Sequence, residues 1–321
     1  MKSKRGFEFG FAWIFAVMIG AVVIFLAIYT AVNIIELKKF ESDTKSGKKI
    51  GIILDPISTN LEQAKFASII LPTETILHNN CTAPSQSQEF GSQTIATSSQ
   101  IFTNSESTGA TSSFHDRYLF STPSLVGEEF YVLSKPLFLP FKVADILVLW
   151  SDKESYCFIS PPTEIEQEIN RLEPINIFLS NCPPHSKNVC FSSVINDCDI
   201  EVDRTEKKVT HKNKRPLFYV ESADSTDKYP LLYAAIFSPE PENYECQIER
   251  ILSRTAKLSL VYKEKANYLY SNYALCGGPL IQSFLDSYAS YITRPDNLPS
   301  INALYSGLKK DNEQLTPCRL F

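Results

Sequence analysis

The sequence is short of the features that mark most nucleotide, nucleic-acid and metal-dependent proteins. Basic residues number 31 against 36 acidic ones, and a net charge of -5 leaves no cationic excess for a polyanion, so no nucleic-acid partner is expected. Glycine supplies only 11 of 321 residues. No G-x-G-x-x-G, G-x-S-x-G or H-E-x-x-H occurs, which removes the common phosphate cradle, the nucleophile elbow and the helical zinc-hydrolase pair. No nucleotide and no cofactor is therefore expected. From Phe66 to Asp116 there is not one Lys or Arg. What the chain does have is a long apolar run, eight cysteines and 44% hydrophobic residues, enough for one large globular body or two.

The apolar run Phe9 to Ile35, between Glu8 and Glu36, carries no charge. As a helix it would extend roughly 40 Å, more than the hydrocarbon thickness of a bilayer, so it is expected to span with tilt through residues 9–35. The apolar core of a cleaved secretory signal is much shorter, and no small-x-small site closes this one. Trp13 and Tyr29 suit the two interfaces. Lys2, Lys4 and Arg5 precede the span. The lysines that follow it, Lys38, Lys39, Lys45, Lys48 and Lys49, are interleaved with Glu36, Glu41 and Asp43. Large domains translocate largely regardless of charge, so the expected arrangement is a cytoplasmic basic tail (1–8) and an extracytoplasmic remainder.

The segment KRGFEFGFAWIFAVMIGAVVIFLAIYTA resembles the N-terminal segments of type IV pilin-like archaeal membrane proteins, in which a basic leader ending in Gly precedes an acidic residue and a long apolar helix. The resemblance covers about a tenth of the chain. It implies peptidase cleavage after Gly6, and Glu8 stands closer to that position than the family's glutamate does. PLLYAAIFSPEPENYECQIERIL and NEQLTPCRLF likewise resemble uncharacterised single-pass proteins of small-genome archaea, a resemblance that brings no activity with it.

Beyond a juxtamembrane spacer (36–49), short alternating apolar runs, KIGIILDPI, AKFASIILP and TETILH, predict strands and open a β-rich domain over 50–237. Residues 82–113 are mostly Ser, Thr and Gln and read as a flexible low-complexity insertion. The continuously apolar stretch up to Trp150 predicts a strand buried on both faces. Pro161 and Pro162 ahead of Glu164 and Glu166, with Ile165, Ile169 and Leu172, predict a short helix, giving a strand-helix-strand unit over 144–180. NVCFSSVINDCDIEV predicts a hairpin turning near Ile195–Asp197. The run Lys207, Lys208, Lys212, Lys214 and Arg215 reads as a solvated basic loop. From Ser238 to the C-terminus three helices are expected, about 239–272, 279–292 and 298–315, the first with a stripe of Ile248, Leu252, Thr255, Ser259, Tyr262, Ala266 and Leu269. The fold class is α+β.

An up-down-up arrangement of those helices places Cys276 and Cys318 at one pole and predicts a disulfide. Cys246, at the other pole, would have to pair with the β-rich part. Cys190 and Cys198 flank the hairpin turn and form a second candidate pair, while Cys81, Cys157 and Cys182 stay unassigned. Asn80-Cys81-Thr82 fits the N-glycosylation pattern. Cys182, His185, Cys190 and Cys198 form a weak alternative zinc set whose order matches no common pattern, so no metal is expected. Asp145, Asp152 and Glu154 are weak candidates for a carboxylate pair in a cleft. The leading expectation is a membrane-anchored extracytoplasmic structural or interaction protein with partners at the cell surface, beside a pilin-like or secretion assembly. The alternative is a tethered hydrolase of envelope polymers using those carboxylates, and the enzyme is the minority reading.

Overall fold

The computed structural model describes residues 13–34, 64–99, 111–192, 198–223, 227–273, 276, 279–292, 298, 300–315 and 318–321. The basic tail, the spacer, the KIGIILDPI strand, the Ile195–Asp197 turn and Gly277–Gly278 lie outside the described residues. The apolar run forms helix α1, Trp13–Ile34, with mean hydropathy 2.6 and none of its most apolar window buried. A helix this apolar and this uncovered fits a membrane anchor or a signal sequence.

Two six-stranded sheets make the body. The first has the order β3-β2-β1-β5-β6-β4, built from β1 (Lys65–Thr82), β2 (Ser92–Ser99), β3 (Ser112–Phe114), β4 (Tyr118–Phe120), β5 (Ser124–Phe138) and β6 (Lys142–Ser151). AKFASIILP and TETILH are one strand, β1, whose register against β5 shifts between Ile70 and Thr75, around Pro72, a residue unable to donate to the ladder. Along β6, Leu147 and Leu149 join one core cluster with Ile69, Leu77 and Phe130, while Val148 and Trp150 join a larger one. The strand is buried on both faces, as its uninterrupted apolarity predicts.

The second sheet has the order β12-β11-β10-β9-β7-β8, with β7 (Tyr156–Ile159), β8 (Ile177–Phe178), β9 (Lys187–Cys190), β10 (Ile200–Asp203), β11 (Lys208–His211) and β12 (Leu217–Phe218). Helix α2, Thr163–Leu172, buries Ile165 and Ile169 and crosses over between β7 and β8, which are parallel. The strand-helix-strand unit thus begins at Tyr156, because β6 belongs to the first sheet. The expected hairpin is also corrected: β9 and β10 pair in parallel, Val189 opposite Ile200, so the chain between them returns to the same end.

Between the sheets lies α3, Pro230–Phe237, an eight-residue helix buried at every position and in contact with β4, β5, β6 and β11. It falls inside the segment expected to be β-rich. A run apolar on all sides carries no period, and only its burial between two sheets decides its form. The C-terminal helices are α4 (Pro241–Asn272), α5 (Pro279–Tyr291) and α6 (Ile301–Gln314). The predicted stripe on α4 faces inward: Ile248, Leu252, Thr255, Ser259 and Ala266 are buried, and Tyr262 and Leu269 pack against the core.

The low-complexity reading of 82–113 needs the largest correction. Residues 100–110 lie outside the described set, but β2 and β3 are strands, and Ser92, Gln93, Ile95, Ala96, Thr97 and Ser98 are buried. A polar strand can be buried when its side chains find partners. Gln93 donates to Asn79 Oδ1 and accepts from the Leu119 backbone N–H (2.8 Å) and from Gln247 Nε2 (2.9 Å). Gln247 in turn accepts from Arg250 Nη1 at 2.7 Å. Arg250, fully buried on α4, donates to the carbonyls of Phe90, Phe114, His115 and Arg117, and lies 4.9 Å over the Tyr118 ring. One side chain therefore fastens two backbone stretches to the helix, Phe90 within the supposed loop and Phe114–Arg117 just beyond its end.

Candidate functional site

Of the three candidate carboxylates, Asp145 stands apart from the other two. Asp145 lies opposite Pro136 near the start of β6, whereas Asp152 and Glu154 follow the strand's far end, about 20 Å away at the rise of a strand. Asp145 pairs with Lys142 at 3.1 Å, and burial pushes its carboxyl above the usual range against the pull of that lysine. Asp152 has Lys153 at 3.6 Å, and Glu154 has Lys187 at 2.6 Å. Each carboxylate has its own lysine, so none of the three is poised against another for acid-base work.

All eight cysteines are bonded: Cys81–Cys246, Cys157–Cys182, Cys190–Cys198 and Cys276–Cys318. Cys246 pairs with the β-rich part, clamping the end of β1 to α4. Cys190–Cys198 closes the connection between two parallel strands instead of a hairpin. The zinc alternative is overturned, because Cys182, Cys190 and Cys198 are all in disulfides, and His185 is exposed. A fully paired set of cysteines suggests folding in an oxidising compartment. Asn80 is exposed on β1, directly before the bonded Cys81.

The basic run is met by acids. Lys207 pairs with Glu221, Lys208 with Glu206, Lys214 with Glu240 (2.9 Å), and Arg215 with Glu242 and Glu245. Lys212 is exposed and has no ion pair among the described residues. It stands at a cleft of about 220 Å³ lined by Tyr156, Lys187, Asp199, Ile200, His211, Lys212, Lys214, Ile236 and Pro239. A second depression, of about 440 Å³, adjoins it through His211 and Lys212 and includes Glu201, Thr210 and Asn213.

His211 is buried at the end of β11, and its Nε2–H donates to the Ala235 carbonyl at 2.8 Å, which leaves Nδ1 as an acceptor. Burial lowers its pKa below the ordinary value, and Lys187 and Lys214 lower it further, so the ring is neutral at pH 7. Lys187 lies 5.1 Å over the Tyr156 ring and is fixed by Glu154. The Asp199 carboxylate accepts the Asn188 backbone N–H at 2.9 Å. The smaller cleft therefore offers an ammonium, a carboxylate and a neutral imidazole over an apolar floor. Among the described residues no Ser, Thr or Cys lines it, and its donors and acceptors suit recognition of a polar group. Sequence reasoning put His211 and Lys212 in a solvated loop. Only the alternation in Lys208–His211, with Val209 and His211 inward, marks the strand that sets them at the cleft.

Comparison with protein-family models, with curated proteins and with solved structures finds no match for this chain.

Proposed function

We propose that this is a single-pass membrane protein whose body stands on the extracytoplasmic side and serves a structural or interaction role there, beside a pilin-like or secretion assembly. The carrying observation is a conjunction: an uncovered apolar helix near the N-terminus and a body whose eight cysteines are all paired. An oxidised body and a retained anchor together require the chain between them to cross the membrane. The cleft at His211 and Lys212 supports recognition as the body's task, since it sets donors and acceptors over an apolar floor. The large uncharged surface of α1 supports association with lipid through the span.

Protease applied to intact cells is the direct test. Digestion of the body, leaving a membrane-bound fragment that contains α1, is expected. A body cut only after the cells are permeabilised overturns the orientation, and a mature chain that begins beyond Ile34 overturns the anchor.

A further inference from the structure

The layers of the body meet at a buried group of three ionisable side chains. Lys135, on β5, is 2% exposed; its Nζ lies 3.1 Å from Oδ1 of Asp227, which is completely buried ahead of α3, and is in contact with Oε1 of Glu168, on α2 and 10% exposed. One base faces two acids away from water, a costly arrangement to maintain as ions. Neither Asp227 oxygen accepts a hydrogen bond among the described residues. The lysine nitrogen is thus at contact distance from the carboxyl group but off its hydrogen-bonding directions, and no partner has to be displaced for it to approach the carbon. The Tyr233 ring closes the site 5.0 Å from Nζ, and Tyr233 is itself buried.

We propose that Lys135 and Asp227 become joined by an intramolecular isopeptide bond, with Glu168 as the proton shuttle. Transfer of a proton from the lysine ammonium to the Asp227 carboxylate, 3.1 Å away, gives a neutral amine beside a neutral acid. The amine lone pair attacks Cγ of Asp227 and forms the C–N bond. Glu168 takes the proton released by nitrogen and delivers it to the departing hydroxyl, so the C–O bond breaks and one water leaves. Ammonium and carboxylate are consumed, an amide and water are formed, Glu168 is regenerated, and nothing is oxidised or reduced. The product removes one buried cation and one buried anion, and ties the first sheet covalently to the segment leading into α3. Unlike the four disulfides, this tie is indifferent to reductant.

Mass spectrometry of the full-length protein, purified in detergent and fully reduced, tests it. The mass is expected about 18 Da below that set by the sequence and the observed N-terminus, with a branched peptide joining Lys135 to Asp227. Asp227→Asn is expected to form the same amide by losing ammonia, about 17 Da. Lys135→Gln is expected to show full mass, and Glu168→Gln to remain at least half unlinked. Wild-type protein at full mass overturns the proposal, and that measurement decides even where a variant does not fold. A deficit that survives Lys135→Gln also overturns it, and complete linkage in Glu168→Gln overturns the role given to that residue.

Discussion

Arg250 and Lys135 are both withdrawn from water, and they are held in opposite ways. Among the described residues Arg250 has no ion pair, Asp116 acting on it only through its field; four backbone carbonyls and the Gln247 side chain surround its guanidinium, so its charge is solvated mainly by neutral dipoles. Lys135 meets two carboxylates and, among the described residues, donates to no backbone carbonyl. The planar five-donor fork of arginine suits the first role, and the single nucleophilic nitrogen of lysine suits the second. A buried cation therefore does not announce chemistry by itself; the groups around it decide whether it clamps or reacts.

The largest expected effect lies on the clamp. Arg250→Met leaves four carbonyls facing an apolar side chain, and should lower unfolding stability by on the order of 4 kcal/mol in denaturant titration of the detergent-solubilised protein. It should leave the mass signature at Lys135 unchanged. A loss under about 1 kcal/mol would mean that water already serves those carbonyls, and the contrast between the two sites would fail.

Next comes the disulfide that fastens the same region. Cys81 stands two residues beyond Asn79 on β1, and Cys246 precedes Gln247 on α4, so Cys81–Cys246 brackets the polar chain from Asn79 through Gln93 to Arg250. Replacing both cysteines with serine should cost about 3 kcal/mol, the usual range for a disulfide. Combined with Arg250→Met, the losses should fall short of additive by more than about 0.5 kcal/mol, since each change loosens the same contact. Strict additivity in a double-mutant cycle would show that bridge and clamp act independently.

These two sites also mark how much of the molecule was legible beforehand. The α+β class, the apolar helix, the doubly buried β6 and the inward stripe of α4 follow from period and length, which are local properties. The strand Ser92–Ser99 was hidden because its buried residues are polar, and its partner for Gln93, Gln247, lies far away in the chain. The parallel pairing of β9 and β10 was hidden because the intervening residues read as a turn, and nothing local states the direction of return. Cys276–Cys318 was inferable from helix connectivity, and a β-side partner for Cys246 from its pole. The cleft at His211 and the Lys135 triad were not, since their members come from separate strands, helices and loops.

A position outside both regions supplies a control with a moderate effect. A Cβ at Gly127 would come within 2.3 Å of Asp152 Oδ1 and 2.9 Å of Ser151 Cβ, across the β5–β6 end of the first sheet. Gly127→Ala should therefore cost about 2 kcal/mol through overpacking, while leaving the Arg250 cycle and the Lys135 mass signature untouched. A neutral result in thermal unfolding would show that Asp152, which is partly exposed, simply rotates away.

The smallest effect extends the comparison to a base that burial keeps uncharged. Burial holds the folded pKa of His211 below the ordinary 6.5, with Lys187 and Lys214 adding to the fall and the Ala235 carbonyl and Glu240 opposing it. As pH falls through that ordinary value, the unfolded chain binds a proton that the folded chain refuses, so stability is present above it and declines towards the folded pKa. The decline is at most about 1.4 kcal/mol per pH unit. His211→Gln keeps an N–H for the Ala235 carbonyl and removes the titration. Between pH 7 and pH 5 its stability should fall less than that of the wild type, with carboxylate effects cancelling in the difference. Parallel curves would mean that the imidazole takes up its proton in place, through the cleft, and that the pocket is wetter than its apolar floor implies.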